Sequence, residues 1–98
     1  MDTQEKYEYE FNHAYHNVAM LLVVYAGVGL ADINVTRTLS DLGLSHLERI
    51  QLRLKLQELF DEMDEFTDEE FNEFPNMSVG RLVDTILQKS GIEIAPPQ

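Results

Sequence analysis

The stretch Asp41-Leu42-Gly43-Leu44-Ser45-His46-Leu47-Glu48 changes character at Ser45. Before it, Asp32, Asn34, Thr36, Ser40, Asp41 and Gly43 are loop formers without a helical period. From Ser45 onward, Ser45-His46-Leu47-Glu48 reads as an S-x-x-E capping box. In such a box the hydroxyl takes a backbone N–H of the first turn, and the glutamate reaches back to the N–H of the serine. The helix opened there is predicted to run to about Asp61. Its apolar positions, Leu47, Ile50, Leu52, Leu54, Leu56, Leu59 and Phe60, fill two arcs of the helical wheel with polar strips between. A helix apolar on two sides is expected to sit centrally among others.

Upstream, Phe11, Tyr15, Val18, Leu22 and Tyr25 recur at spacings of three and four, which predicts a first helix from about Glu8 to Ala26. Gly27 and Gly29 supply its stop. The connection from Leu30 to Leu44 is long for a small domain. It keeps placing apolar residues (Ile33, Val35, Leu39, Leu42, Leu44), so it is expected to be pinned onto the core. Downstream, Thr67-Asp68-Glu69-Glu70 is a second capping box and predicts a short helix to about Glu73, ended by Pro75. Ser78 or Asn76 then caps a last helix to about Gln88, with Val79, Leu82, Val83, Ile86 and Leu87 as its stripe. The expected fold is all-α: a four-helix bundle with a long loop between helices one and two and a short third helix. Its expected core is Phe11, Val18, Leu22, Leu47, Ile50, Leu56, Phe60, Val79, Leu82, Val83 and Ile86. The chain of 98 residues is expected to be a single domain, with residues 1–7 and 90–98 as flexible tails.

Composition narrows the function classes. Eighteen acids against seven bases give a formal charge of −11. Phosphate-directed nucleic-acid binding needs a basic footprint, and so does docking on an anionic membrane. With no Cys, disulfides, thiolate metal sites and thiol nucleophiles are excluded. The uncharged run from Val18 to Ala31 is fourteen residues, short of the roughly 20 a spanning helix needs. The expectation is a soluble, cytoplasmic, monomeric protein. No G-x-S-x-G, Gly-rich phosphate loop or H-E-x-x-H is present, so no enzyme is expected.

Asp41-Leu42-Gly43-Leu44-Ser45-His46-Leu47 resembles the D-L-G-x-D-S-L signature of acyl and peptidyl carrier proteins. The spacing of Leu47, Ile50, Leu52, Leu54, Leu56 and Phe60 is similar to the family's second helix. Phe66-Thr67-Asp68-Glu69-Glu70 resembles the I-P-D-E-E opening of its third, and Asn76-Met77-Ser78-Val79 through Ile86 resembles its fourth. The likeness covers roughly residues 30 to 88. It implies an acyl-carrier-type four-helix bundle serving acyl, aminoacyl or polyketide-type metabolism, such as fatty acid, polyketide or non-ribosomal peptide biosynthesis. Partner enzymes of such carriers dock on helix two.

The signature departs from the family at its chemical centre. The family's serine carries phosphopantetheine through a phosphodiester, and that position is occupied here by His46. The position before it, an Asp in the family, is Ser45. Imidazole does not form the stable phosphodiester of a serine hydroxyl. Two readings follow for each residue. Ser45 either bears a phosphopantetheine arm one position early or acts only as the helix cap. His46 is either a replacement docking, basic or ligating group or an exposed first-turn residue. The expected cofactor is therefore none, or phosphopantetheine on Ser45.

Partner-binding candidates are His46, Glu48, Arg49, Gln51, Arg53 and Lys55. The span His46 to Glu58 carries Arg49, Arg53 and Lys55 against Glu48 and Glu58, a net +1 inside an acidic chain. On the wheel, His46, Arg49, Arg53 and Gln57 form one strip; Glu48, Gln51, Lys55 and Glu58 form another. Either the arginines pair with the acids of Asp61 to Glu73 and hold the short helix, or they present a changed surface to a partner. His13 and His16, one turn apart, lack an identifiable third metal ligand. The acidic segment Asp61 to Glu73 lacks the order of a calcium-binding loop and reads as a solvated surface that steers basic partners. The alternative function is a small acidic helical adaptor or scaffold without thioester chemistry.

Overall fold

The computed structural model describes residues 3–91. Four α-helices follow in order: α1 (Thr3–Ala26), α2 (His46–Leu59), α3 (Asp68–Glu73) and α4 (Val79–Lys89). Short 3-10 turns occupy Leu30–Asp32 and Phe74–Asn76. Among the described residues there is no strand, only an isolated antiparallel bridge between Thr38 and Ser78. The fold is all-α.

The centre of the packing is α1, which lies against both α4 and α2. Its Ala14, Val18, Ala19 and Leu22 are buried, while Phe11, Tyr15 and Tyr25 of the expected stripe are half-buried. The helix starts at Thr3, earlier than the periodicity places it, so residues 3–7 are not a tail. Tyr7 explains the extension: its hydroxyl donates to the Asp84 carboxylate of α4, and its ring lies 6.1 Å from that of Phe11. Residues 1–2 and 92–98, the rest of the expected tails, lie outside the described residues. Gly27 ends α1 with φ +68°, a left-handed conformation that glycine adopts without a Cβ penalty, and donates its N–H to the Val23 carbonyl.

The second helix is not central, contrary to its two-sided apolar pattern. It turns Leu52 and Leu56 into the core and leaves Leu47, Leu54 and Leu59 exposed. Leu47 is therefore corrected from core to surface at 63% exposure, and Ile50 and Phe60 from buried to half-buried. The physical reason is α1. It packs against both α2 and α4, so α2 needs to cover only one flank. Full burial of a Leu such as Leu56 contributes about 1.5–3 kcal/mol.

The amphipathic stripe of α4 is as expected: Val79, Leu82, Val83, Ile86 and Leu87 are all buried. Its first turn receives the interhelix loop. The N–H of Val79 donates to the Arg37 carbonyl at 2.8 Å, that of Gly80 to Val35 at 3.0 Å, and that of Arg81 to the Ser78 hydroxyl at 3.1 Å. Three N–H groups that a helix start leaves unpaired are thereby satisfied. Gly80 permits the approach, since a Cβ there would stand 3.0 Å from the Val35 carbonyl oxygen. The loop returns the pairing through Leu39 N–H to Met77 and Ser40 N–H to Pro75. Its Ile33, Leu39, Leu42 and Leu44 are buried, so the expected pinning is observed at these four, while Val35 of the expected set is exposed.

The segment after α2 is held by aromatics. Phe66 and Phe74 are almost fully buried and meet edge to face at 5.1 Å, with Phe71 5.2 Å from Phe74. Between them α3 buries none of its own side chains, and Thr67 caps it with a complete capping box to Glu70.

Candidate functional site: the start and outer face of α2

The loop delivers Ser45 to the surface through a tight turn. Asp41 accepts the N–H of Thr38 at 3.2 Å, and Thr38 Oγ1 accepts the N–H of Asp41 at 3.0 Å. Gly43, at φ +81°, donates its N–H to Ser40 and turns the chain into Leu44. The carboxyl of Asp41 is held below its usual range, first by the backbone N–H of Thr38 and then by the hydroxyl of Thr38.

Ser45 is the N-cap of α2. Its hydroxyl oxygen accepts the Glu48 N–H at 3.2 Å, and Glu48 Oε1 accepts the Ser45 N–H at 2.8 Å. The capping box is thus complete. Receiving that N–H lowers the pKa of Glu48. Ser45 is exposed, so its hydroxyl is accessible while serving as a cap. Among the described residues no hydrogen bond joins it to His46. The His46 ring instead lies 5.9 Å from Phe71 of α3.

The two strips of α2 separate in space. On the first, Arg53 donates to the Phe66 carbonyl at 2.6 Å, lies 3.5 Å from the Asp68 carboxylate, and stacks its guanidinium 5.1 Å from the Phe71 ring centre. Gln57 accepts the Phe66 N–H at 3.0 Å. Arg49 donates to the Leu44 carbonyl at 2.7 Å. Hence His46, Arg53 and Gln57 hold the approach to α3, and Arg49 holds the loop end. The pairing of arginines with the acidic segment applies to Arg53 and not to Arg49.

The second strip faces outward. Gln51, Lys55 and Glu58 are exposed, and Lys55 lies 3.4 Å from Glu58 in an i,i+3 pair. Glu48 is half-buried by its cap. Leu47 and Leu54, 63% and 60% exposed, belong to the same side. Neither was singled out as a contact residue from the sequence. The signal for them is their i,i+7 spacing in the wheel arc shared with Gln51 and Glu58. The arrangement offers an apolar pair within a nearly neutral polar frame. Among the described residues no group of three or more His, Asp or Glu is placed to hold a metal ion. No helix among them is long and apolar enough to cross a membrane.

Comparisons of this chain with protein-family models, with curated proteins and with solved structures return no match.

Proposed function

We propose that this chain is a non-catalytic, carrier-protein-like module that offers the outer face of α2 to a partner protein and does not bear phosphopantetheine in the usual way. The observation that carries this reading is the solvent-facing row of Leu47 and Leu54 beside Gln51 and Glu58. Large apolar side chains grouped on one helix face are what a docking helix needs and a merely solvated helix does not. The element order supports the same reading: a long first helix, a pinned loop ending in D-L-G-L-S-H-L, a capped second helix and a short third. In this reading the acyl-carrier-type bundle is retained and the attachment residue has been replaced by His46.

A second reading, an acidic helical adaptor unrelated to thioesters, is favoured by the use already made of the signature residues. Ser45 is engaged in its capping box, and His46 packs on Phe71. The two readings share the docking face and differ in ancestry of the motif.

Intact-mass measurement after incubation with coenzyme A and a broad-specificity phosphopantetheinyl transferase separates them. The wild type is expected to gain no mass. Ser45→Asp with His46→Ser rebuilds D-S-L, keeps a capping residue at the helix start, and is expected to become modified. Wild-type modification that vanishes in Ser45→Ala makes Ser45 the arm site. A correctly folded double variant that stays unmodified removes the carrier reading and leaves the adaptor.

A further inference from the structure

The outer face of α1, opposite its buried Ala14, Val18 and Leu22, is open to solvent. Tyr9, His13, His16, Met20 and Val24 fall there within about 80° of one another on the helical wheel. All five are exposed, Tyr9 at 63%, Met20 at 44% and Val24 at 72%. The rings of Tyr9 and His13 stack, with 6.4 Å between centres and 4° between planes. From Phe11 to Ala31 the chain has no Asp, Glu, Lys or Arg, so most of the strip lies in an uncharged stretch. The other helices all expose charge: Lys55 and Glu58 on α2, Asp68 and Glu69 on α3, Arg81 on α4. A charge-poor centre with Tyr and Met inside a polar rim is the anatomy of a protein–protein interface. Glu10, Asp61 and Glu62, around one depression with His13 and Asn17, supply such a rim on one flank.

We propose that this strip is the interface of a homodimer, two copies of α1 packed antiparallel about a two-fold axis. Charge points to a second copy as the occupant. A basic partner gains nothing on an uncharged strip and has acidic faces to choose from. Another copy brings the same −11 and meets least repulsion where neither surface is charged. The distribution of charge along α1 sets the direction. Glu5, Lys6, Glu8 and Glu10 crowd its first half, so parallel pairing would set acids against acids. Antiparallel pairing sets them against the uncharged end. The spacing is self-complementary in that direction: Tyr9 faces Val24, His13 faces Met20, and His16 faces Asn17 beside the axis, each pair occurring twice. A single helix face about 24 Å long covers less than the roughly 800 Å² per partner of a standard interface. The dimer is therefore weak, with a Kd on the order of 100 μM. It uses neither Leu47 nor Leu54 of α2, and it departs from the monomer expected from the sequence.

The test is sedimentation equilibrium of the full chain from about 10 μM to about 1 mM, a range that brackets such a Kd. The weight-average mass is expected to rise from 11.3 kDa toward twice that, and to rise further as added salt screens the repulsion between copies. Val24→Glu, at a position exposed enough to spare the fold, should weaken self-association about tenfold or more by burying an unpaired carboxylate. Leu54→Glu, on the α2 face, should leave it unchanged. Thermal melts establish that both variants fold. Direction is read by disulfide trapping, since the chain has no Cys of its own. Tyr9→Cys and Val24→Cys proteins, mixed under mild oxidation, should give the mixed disulfide in large excess over either self-linked product. A mass that stays at 11.3 kDa to the highest concentration would overturn the dimer. Equal weakening by Val24→Glu and Leu54→Glu would remove α1 as the interface, and self-linked products in statistical proportion would remove the antiparallel pairing.

Discussion

Lys89 Nζ of α4 lies 2.8 Å from Glu70 Oε1, and the same oxygen accepts the N–H of Thr67 at 2.8 Å. One carboxylate oxygen thus completes the cap of α3 and ties that helix to α4. Lys89 also lies 5.8 Å from the Phe66 ring centre, and its side chain is only 14% exposed. Glu70→Ala is expected to lose about 1–2 kcal/mol, since it removes a charge-assisted bond and a capping bond together. Glu70→Gln keeps an acceptor for Thr67 and should lose less. Thermal melts of the two variants check this ordering; equal melts for Glu70→Ala and wild type would refute it.

The same carboxylate sets a pH dependence. Burial pushes Glu70 up, but the Lys89 bond and the Thr67 N–H outweigh it and hold the group below its usual 4.5. A group lowered on folding contributes stability above its unfolded pKa and loses it as pH falls through the folded value. Stability from Glu70 should therefore persist at neutral pH and fade below about 4.5. Protonation also relieves the self-repulsion of a chain at −11. The readout is accordingly the difference in urea midpoint between wild type and Glu70→Gln, which should shrink as the pH drops from 5 toward 3. A difference that grows in that range would contradict the assignment.

At the alkaline end the sign is set by Tyr7. Burial, then the bond to Asp84, raises its hydroxyl above the usual 10.0. A raised group contributes fully below its unfolded pKa and loses that contribution as pH rises past it. Unfolding above about pH 10 should therefore begin at the first turns of α1, where they rest on α4. Tyr7→Phe should be less stable at neutral pH yet show a flatter alkaline decline. Hydrogen exchange at residues near Tyr7 measures this; parallel declines in the two proteins would count against it.

The leucines of α2 divide by side. Leu56 and Leu52 are fully buried, so Leu56→Ala should cost about 2–5 kcal/mol. Leu47→Ala and Leu54→Ala should stay within about 0.5 kcal/mol of wild type. Chemical denaturation of the three variants gives the comparison, and a Leu47→Ala loss near that of Leu56→Ala would return Leu47 to the core.

Arg53 and Lys55 divide in the same manner. Arg53→Ala gives up the Phe66 carbonyl and the Phe71 face, and should lose about 1–2 kcal/mol. Arg53→Lys should rescue little of it, because an ammonium lacks the planar fork. Lys55→Glu should leave the melt unchanged and act only on association with a docking partner. A melt insensitive to Arg53→Ala would return that arginine to the surface set.

These contrasts indicate what the chain discloses in advance. The stripe of α4 and the serine and threonine caps are local patterns, decided by residues within a turn of each other, and they could be read directly. The burial of Leu39, Leu42 and Leu44 was readable because apolar residues in an aperiodic loop have few other uses. The placement of α2 was not, since a wheel with two apolar arcs does not tell which arc is covered. That depended on α1 serving two neighbours. The early start of α1 rests on Asp84, far along the chain, and no local pattern announces it. At the candidate site the helix start and its cap were legible. The inward turn of Arg53 was one of two open alternatives, and Leu47 was misplaced.

The contact of Val35 with Gly80 has a consequence for how the protein is made. The loop is threaded early in synthesis, yet the partners of Val35, Arg37 and Leu39 lie at and beyond Met77. While those residues are still inside the ribosome, the emerged chain has the sequences of α1 and α2 but lacks these partners for the segment between them. The buried leucines of that segment are then open to solvent and to other chains. Contacts of such long separation must be closed against chain entropy before they stabilise anything. The strap that presents Ser45 is therefore among the last parts to be fastened, and a side chain at position 80 would act first on the yield of folded protein.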